Sequence, residues 1–263
     1  MKFKYISFQI ENNIAFLTLN RPDVLNSFNR EMAREVQNVL ASAQNDDSIR
    51  CVLLSGEGRA FCAGQDLAEV SETGKTNPMN LGEIVKETYS KTIKGIRYLE
   101  KPVVCAVNGV AAGAGANIAL ACDIVIASDK ASFIQSFCHI GLIPDSGGTF
   151  FLPRLVGLPR AAAMTMLGEK ISAKQAFENG MIYKVVAHEI LHEESLNLSE
   201  RLASMPTTGL GLIKRGFNRS FHNDLDSQLE FEEELQEIAG KTHDYREGVK
   251  AFIEKRKPKF SGK

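Results

Sequence analysis

KPVVCAVNGVAAGAGANIALACDIVIAS, Lys101 to Ser128, sets two strand-like runs, VVCAVNG and DIVIAS, on either side of a segment built largely from glycine and alanine. Short apolar runs rich in Val and Ile, closed by Asn-Gly and by Ser, read as buried strands. The small residues between them allow a helix to start close against a strand end and allow backbone to approach a ligand closely. Strand, glycine loop, helix and strand in that order point to an α/β layered fold.

The same alternation continues outward. Upstream lie a helical pattern from about Ile84 to Leu99, a strand RCVLLS at Arg50–Ser55, and a helix to about Gln44 with Met32, Val36, Val39, Leu40 and Ala43 on one face. Asn26 or Ser27 is the expected cap of that helix. Tyr5 to Asn20 reads as a hairpin around Glu11-Asn12-Asn13. Downstream, Ser172 is placed to cap a helix that Gly180 ends, and MIYKVV follows as a strand. After Val186 the pattern turns helical, over 187–204, 207–218 and 224–240. We therefore expect an α/β core over residues 1–204 and a helical part over 205–263, with no fixed-period sequence repeat.

Composition excludes several classes. Lys plus Arg number 31 against 32 for Asp plus Glu, so no global charge favours nucleic acid or an anionic membrane as partner. The basic end from Lys250 to Lys263 reads as a solvated helix end. Cys51, Cys62, Cys105, Cys122 and Cys138 lack C-x-x-C spacing and are odd in number, as buried thiols of a reducing compartment would be. Residues 1 to 10 carry Lys2 and Lys4 and no long apolar run, so no secretory leader is read, and no run of about 18 apolar residues suggests a span. A cytoplasmic enzyme is expected. His188 and His192 stand at i, i+4, but no third ligand is evident and no metal site is expected. His139 reads as a packing residue, and Asp66 and Asp123 as structural caps or turn residues.

A second small-residue loop, RAFCAGQDL at Arg59–Leu67, also follows a strand-like run. Gly113-Ala114-Gly115 is not a dinucleotide fingerprint, because Ile118 stands where the third glycine belongs. Neither loop ends in the G-K-[ST] of a phosphate loop. Two backbone N–H groups at two strand-to-helix turns can instead converge on one carbonyl oxygen and stabilise an enolate.

FCAGQDL, the Lys101–Ser128 segment and FIQSFCHIGLIPDSGGTFFLPRLVG (Phe133–Gly157) resemble, in order, three blocks of the crotonase (enoyl-CoA hydratase/isomerase) superfamily. LNRPDVLNSF at Leu19–Phe28 is similar to its opening block. The resemblance implies repeated ββα turns followed by a helical trimerisation part, and an acyl-CoA thioester as substrate, with coenzyme A as part of the substrate and no separate cofactor. It further implies an oxyanion hole from the backbone N–H groups of Gln65 and Ala114, an adenine contact from the Ala63 carbonyl, and a homotrimer or dimer of trimers. Phe217, Leu229, Phe231, Leu235 and Ile238 make the tail apolar enough for such assembly.

Hydratases of this superfamily use two glutamates, and the matching positions here hold Asn117 and Phe137. Neither side chain can activate water or protonate carbon. A carboxylate stands instead at Asp145, where relatives such as dienoyl-CoA isomerases, the phenylacetate-pathway ring-epoxide isomerases and a chlorobenzoyl-CoA dehalogenase carry a catalytic aspartate. GVAAGAGA together with IGLIPDSGGTFFLPRLVG resembles the phenylacetate-pathway isomerases most. Read alone, Asp145 ahead of Ser146-Gly147-Gly148 is a helix N-cap; with both loops and the missing glutamates it reads as the catalytic base, desolvated by Ile143, Phe137 and Phe150. A nucleophilic aspartate needs a second base, and no histidine precedes His139. An isomerase is thus expected, with an enoyl-CoA hydratase as the alternative and a catalytically silent scaffold or RNA-binding trimer as the further one.

Overall fold

The computed structural model describes residues 3–72 and 80–263; Met1 and Lys2 of the leader reading lie outside them. β1 (Ile6–Glu11) and β2 (Ile14–Leu19) pair antiparallel, and Glu11 faces Ile14 across a two-residue turn. Asn12 and Asn13 hold φ of 50° and 63°, the left-handed pair that such a turn demands and that asparagine tolerates. Asn29 caps α1 (Arg30–Asn45), accepting from the Met32 N–H at 2.9 Å. The expected cap at Asn26 or Ser27 is therefore displaced. Asn26 sits at φ 55°, outside the extended backbone a cap needs. Its buried amide instead donates to Glu57 O and Ala60 O, each at 2.8 Å.

The chain then makes a series of strand-strand-helix turns: β3 (Cys51–Gly56) and β4 (Ala60–Cys62) before α2 (Leu67–Glu72), β5 (Val103–Val107) and β6 (Val110–Ala112) before α5 (Ala114–Leu120), and β7 (Ile124–Ser128) and β8 (Ser132–Ile134). α3 (Leu81–Ile84), a π-helical turn (Val85–Ser90) and α4 (Lys91–Tyr98) fill the gap before β5. The first strand of each turn joins a six-stranded sheet, β1-β2-β3-β5-β7-β10, parallel except at β1–β2, with β10 at Lys184–Val186. The second joins a four-stranded sheet, β4-β6-β8-β9, with β9 at Lys170–Ser172. This is the expected ββα repeat, carried by geometry with no repeated sequence. Its strands β3 and β5 are buried on both faces, as parallel strands between layers are.

α6 (Gly148–Val156), α7 (Leu158–Leu167) and α8 (Ala173–Glu178) follow, the last opened by a capping box in which Ser172 and Gln175 satisfy each other's backbone. α9 (Leu191–Ala203) packs on β3, β5 and β7, and α10 (Thr207–Ser220), α11 (Leu225–Gly240) and α12 (His243–Ile253) complete the chain. α10 is tied to the core by buried Lys214, whose ammonium meets Asp123 Oδ2 at 2.6 Å, and by Asn218, bonded to Arg97. Asp123 also accepts from the Val103 N–H at 2.8 Å, so its structural reading holds. In the tail, Phe217 (64%) and Phe252 (85%) are exposed, whereas Leu235 is buried at 8% within its own chain, against Gly216. No helix of the described residues is long and apolar enough to cross a membrane.

Candidate active site

β4 and β6 are parallel neighbours, with Cys62 opposite Ala111, so the loops that follow them leave the small sheet at the same edge. Glycine is required for their approach. A Cβ on Gly64 would lie 2.9 Å from Ala112 O and 3.6 Å from Ala114 N, and one on Gly115 would lie 2.3 Å from Cys62 O. Gly64 and Gly113 both take positive φ, 92° and 52°.

The two N–H groups picked out from the sequence come free by different means. Gly64 O and Asp66 N both engage Phe28, at 2.6 and 3.0 Å, so the Gln65 N–H between them points away from Phe28. Ala114 is the first residue of α5, and its N–H is one of the orphan donors of a helix start; Gly113 before it has no side chain to cap it. Neither N–H has a partner among the described residues. Ala63 donates to Leu25 O at 3.0 Å, which fixes its peptide at the mouth of the first loop.

Asp145 lies in the turn that leads into α6. Its carbonyl accepts from the Gly148 N–H at 2.8 Å, and the two central residues, Ser146 and Gly147, hold φ of 52° and 76°. The cap position of α6 is Gly147, and among the described residues no side chain caps that helix. The N-cap role considered for Asp145 therefore does not occur. Its carboxylate accepts from Ser146 Oγ at 2.8 Å and is half-buried. Burial raises its pKa above the ordinary carboxylate value, outweighing the Ser146 bond that lowers it. Of the flanking residues expected to desolvate it, Phe137 is buried, but Ile143 is 77% exposed. The Phe137 ring stands beside the second loop, 3.7 Å from where a Gly113 Cβ would be.

Tyr89, not singled out from the sequence, completes the constellation. The π-helical turn carries it inward, where it stacks on Phe28 with ring centroids 5.8 Å apart. Its hydroxyl donates to Gln65 Oε1 at 2.5 Å. Burial first, and then the charge of Asp145, hold the phenol well above its usual pKa, so it remains a donor. A helical pattern with a tyrosine on its apolar face reads as core, and no sequence signal marks a π-turn.

The remaining candidates have other roles. Asp66 pairs with Arg21 at 2.8 Å, as a structural residue. His139 is exposed and bonds Leu167 O, so it is not the packing residue expected. His188 and His192 are both exposed, with His188 bonded to Ser128. Burial pushes the Cys51 and Cys62 thiols up to about 12, which leaves them unreactive near neutral pH.

The raised pKa of Asp145 has a consequence for stability. A folded-state pKa above the unfolded one leaves stability untouched below both values, and stability is lost as pH rises through the folded value. Asp145→Asn is therefore expected to raise Tm near neutral pH, with the gain vanishing in acid. Thermal unfolding of both proteins across that range checks it; a lower Tm for Asp145→Asn at neutral pH would contradict the desolvation reading.

Comparison with known proteins fits this arrangement. A family model described as "Enoyl-CoA hydratase/isomerase" matches residues 9–263. The chain is 49% identical over 262 residues to the 1,2-epoxyphenylacetyl-CoA isomerase of Escherichia coli K12, covering 99% of each chain. It is 38% identical to the trans-2-decenoyl-[acyl-carrier-protein] isomerase of Streptococcus mutans over the whole of both. Among solved structures it superposes on an enoyl-CoA hydratase from Bacillus anthracis with a TM-score of 0.92 at 34% identity, covering 99% of this chain and 100% of the other.

Proposed function

The chain belongs to the enoyl-CoA hydratase/isomerase family, and on that premise we propose that it is an acyl-CoA isomerase that moves a proton through an oxyanion-stabilised thioester enolate. One observation carries the reading: Asp145 is a half-buried carboxylate with a raised pKa, while positions 117 and 137 hold no acid. A base poised nearer neutrality suits abstraction of a proton next to a carbonyl.

In the proposed reaction the thioester oxygen accepts from the Gln65 and Ala114 N–H groups, and the Ala63 carbonyl meets the adenine amino group of coenzyme A. The Asp145 carboxylate takes a proton from C2 of a Δ3-enoyl-CoA. The C2–H electron pair moves into a dienolate whose charge rests on the thioester oxygen. Asp145 returns the proton at C4, leaving the double bond at C2–C3 and the carboxylate regenerated. Phe137 beside the second loop keeps water from competing at carbon. The relative named for 1,2-epoxyphenylacetyl-CoA makes a ring epoxide of phenylacetyl-CoA the alternative substrate. An enoyl-CoA hydratase is the second reading, favoured by the Bacillus anthracis structure.

We further propose that residues 205–263 form an oligomerisation part of a trimer or dimer of trimers, supported by the exposed Phe217, Leu229 and Ile238. Static light scattering at micromolar concentration should give at least three chains per particle; a monomer would refute it. A cytoplasmic setting is consistent with five unpaired thiols. Turnover of the purified protein on crotonyl-CoA, trans-3-hexenoyl-CoA and 1,2-epoxyphenylacetyl-CoA tests the function. The isomerase reading expects activity on one of the latter two to exceed hydration of crotonyl-CoA.

A further inference from the structure

Position 117 is more than the place of a missing acid. Asn117 lies in α5 with 0% exposure, and its Nδ2 donates to the backbone carbonyl of Asp145 at 2.8 Å. Its Oδ1 accepts from Nε2 of Gln135, itself 3% exposed, at 2.8 Å. The Asp145 carbonyl thus receives two N–H groups, from Asn117 and from Gly148. The fit is close: a Cβ on Gly148 would fall 2.3 Å from Asn117 Nδ2, so only glycine admits the amide. The turn it holds keeps Ser146 at φ 52°, a conformation that costs free energy for a residue with a Cβ and persists only where its surroundings impose it. Among the described residues Gln135 Oε1, meanwhile, is buried with no partner, so this amide gives up one hydrogen bond to supply the other.

We propose that Asn117, oriented by Gln135, is a positioning residue: it pins the Asp145 carbonyl and thereby holds the left-handed Asp145–Gly148 turn that presents the Asp145 carboxylate to the substrate. The proposal rests on Asp145 being the base. It replaces the acid of a hydratase by an anchor for a base on another loop. Without the Asn117 donor, the turn is free to relax toward the right-handed conformation that Ser146 prefers, which re-aims the carboxylate and opens it to water.

That carboxylate is bonded by Ser146 Oγ on its own turn; the π-helical turn carries the Tyr89 phenol, whose pKa the charge of Asp145 raises, and α5 contributes the neutral Asn117. Relaxation therefore lowers the pKa of Asp145 through solvation, and the acid limb of kcat moves to lower pH.

The test uses the full chain with trans-3-hexenoyl-CoA as probe, measuring kcat, KM, the pH profile of kcat and Tm for Asn117→Leu, Gln135→Leu and Asp145→Asn. Asn117→Leu is expected to lower kcat by ~10- to 100-fold, the scale of a small misplacement of a reacting group, with KM little changed and the acid limb shifted down. Gln135→Leu keeps every atom of the Asn117–Asp145 bond and should show the same signature to a smaller degree; it carries the test alone if Asn117→Leu does not fold. Loss of Tm with wild-type kcat and an unmoved acid limb in the folded variants would overturn the proposal, leaving a purely structural amide. If those two are kinetically normal while Asp145→Asn is inactive, only the positioning role falls. If Asp145→Asn retains full activity, the base reading falls and the proposal falls with it.

Discussion

Asp145→Asn is expected to slow isomerisation of a Δ3-enoyl-CoA by ~10² to 10⁴, the usual contribution of a positioned general base. The substitution is nearly isosteric and keeps the backbone carbonyl that accepts from Asn117 and Gly148. The proposed contacts to coenzyme A are backbone groups of Ala63, Gln65 and Ala114, which the substitution leaves in place. Binding and chemistry should therefore separate: the dissociation constant of an unreactive acyl-CoA, measured by titration calorimetry, stays near the wild-type value while kcat collapses. Equal loss of affinity and rate would show that Asp145 supports the architecture of the site and does no proton transfer.

Ala114→Pro is the second large effect. Ala114 opens α5, and the first helical position is where proline is tolerated, since its N–H has no intrahelical partner. Gly113 before it lies at φ 52°, ψ −126°, away from the right-handed helical region that a following proline disfavours. The change thus removes the proposed oxyanion donor, and places a ring carbon where the oxygen would sit, with little cost to the helix. A fall in kcat of about 10² to 10³ is expected, as for loss of one oxyanion-hole donor. Ala114→Ser retains the N–H and should lose far less. Circular dichroism must show both variants folded; a proline variant that is folded and fully active would remove Ala114 from the mechanism.

The strands and helices were legible where hydrophobic period and punctuation agree. Arg50–Ser55 against Cys51–Gly56, and the Ser172 cap with its Gly180 stop, are close matches. The helix cap falls at Asn29 although Asn26 and Ser27 are equally good capping types; the left-handed backbone of Asn26 disqualifies that residue, and no sequence signal marks it. The two-sheet arrangement is not written in any one segment. It arises because each pair of strands splits between sheets, a three-dimensional relation that leaves no repeat in residue type.

At the site, composition revealed which loops carry glycine and where a carboxylate stands, but not what holds them. Asn117 reads as an absence of acid, and nothing in the sequence singles out Gln135; their hydrogen bond crosses from helix to strand end and has no sequence spacing to betray it. Tyr89 was hidden for a similar reason. A π-helical turn shifts the inward face of its helix, so a tyrosine that looks like core filling reaches Gln65 instead. The desolvation of Asp145 was anticipated in direction, yet one of its expected sources, Ile143, faces outward.

The most direct measurement of the central claim follows trans-3-hexenoyl-CoA with the wild-type protein in deuterated water, recording the position of the double bond, deuterium at C2 and C4, and any 3-hydroxyacyl-CoA. Proton shuttling by Asp145 predicts migration to the Δ2 isomer with deuterium entering at C4, and at C2 by reversal, as the half-buried carboxyl exchanges its proton with solvent, little hydroxyacyl product, and loss of both migration and exchange in Asp145→Asn. Rapid formation of 3-hydroxyacyl-CoA that survives Asp145→Asn would contradict the account and make the protein a hydratase with a different base.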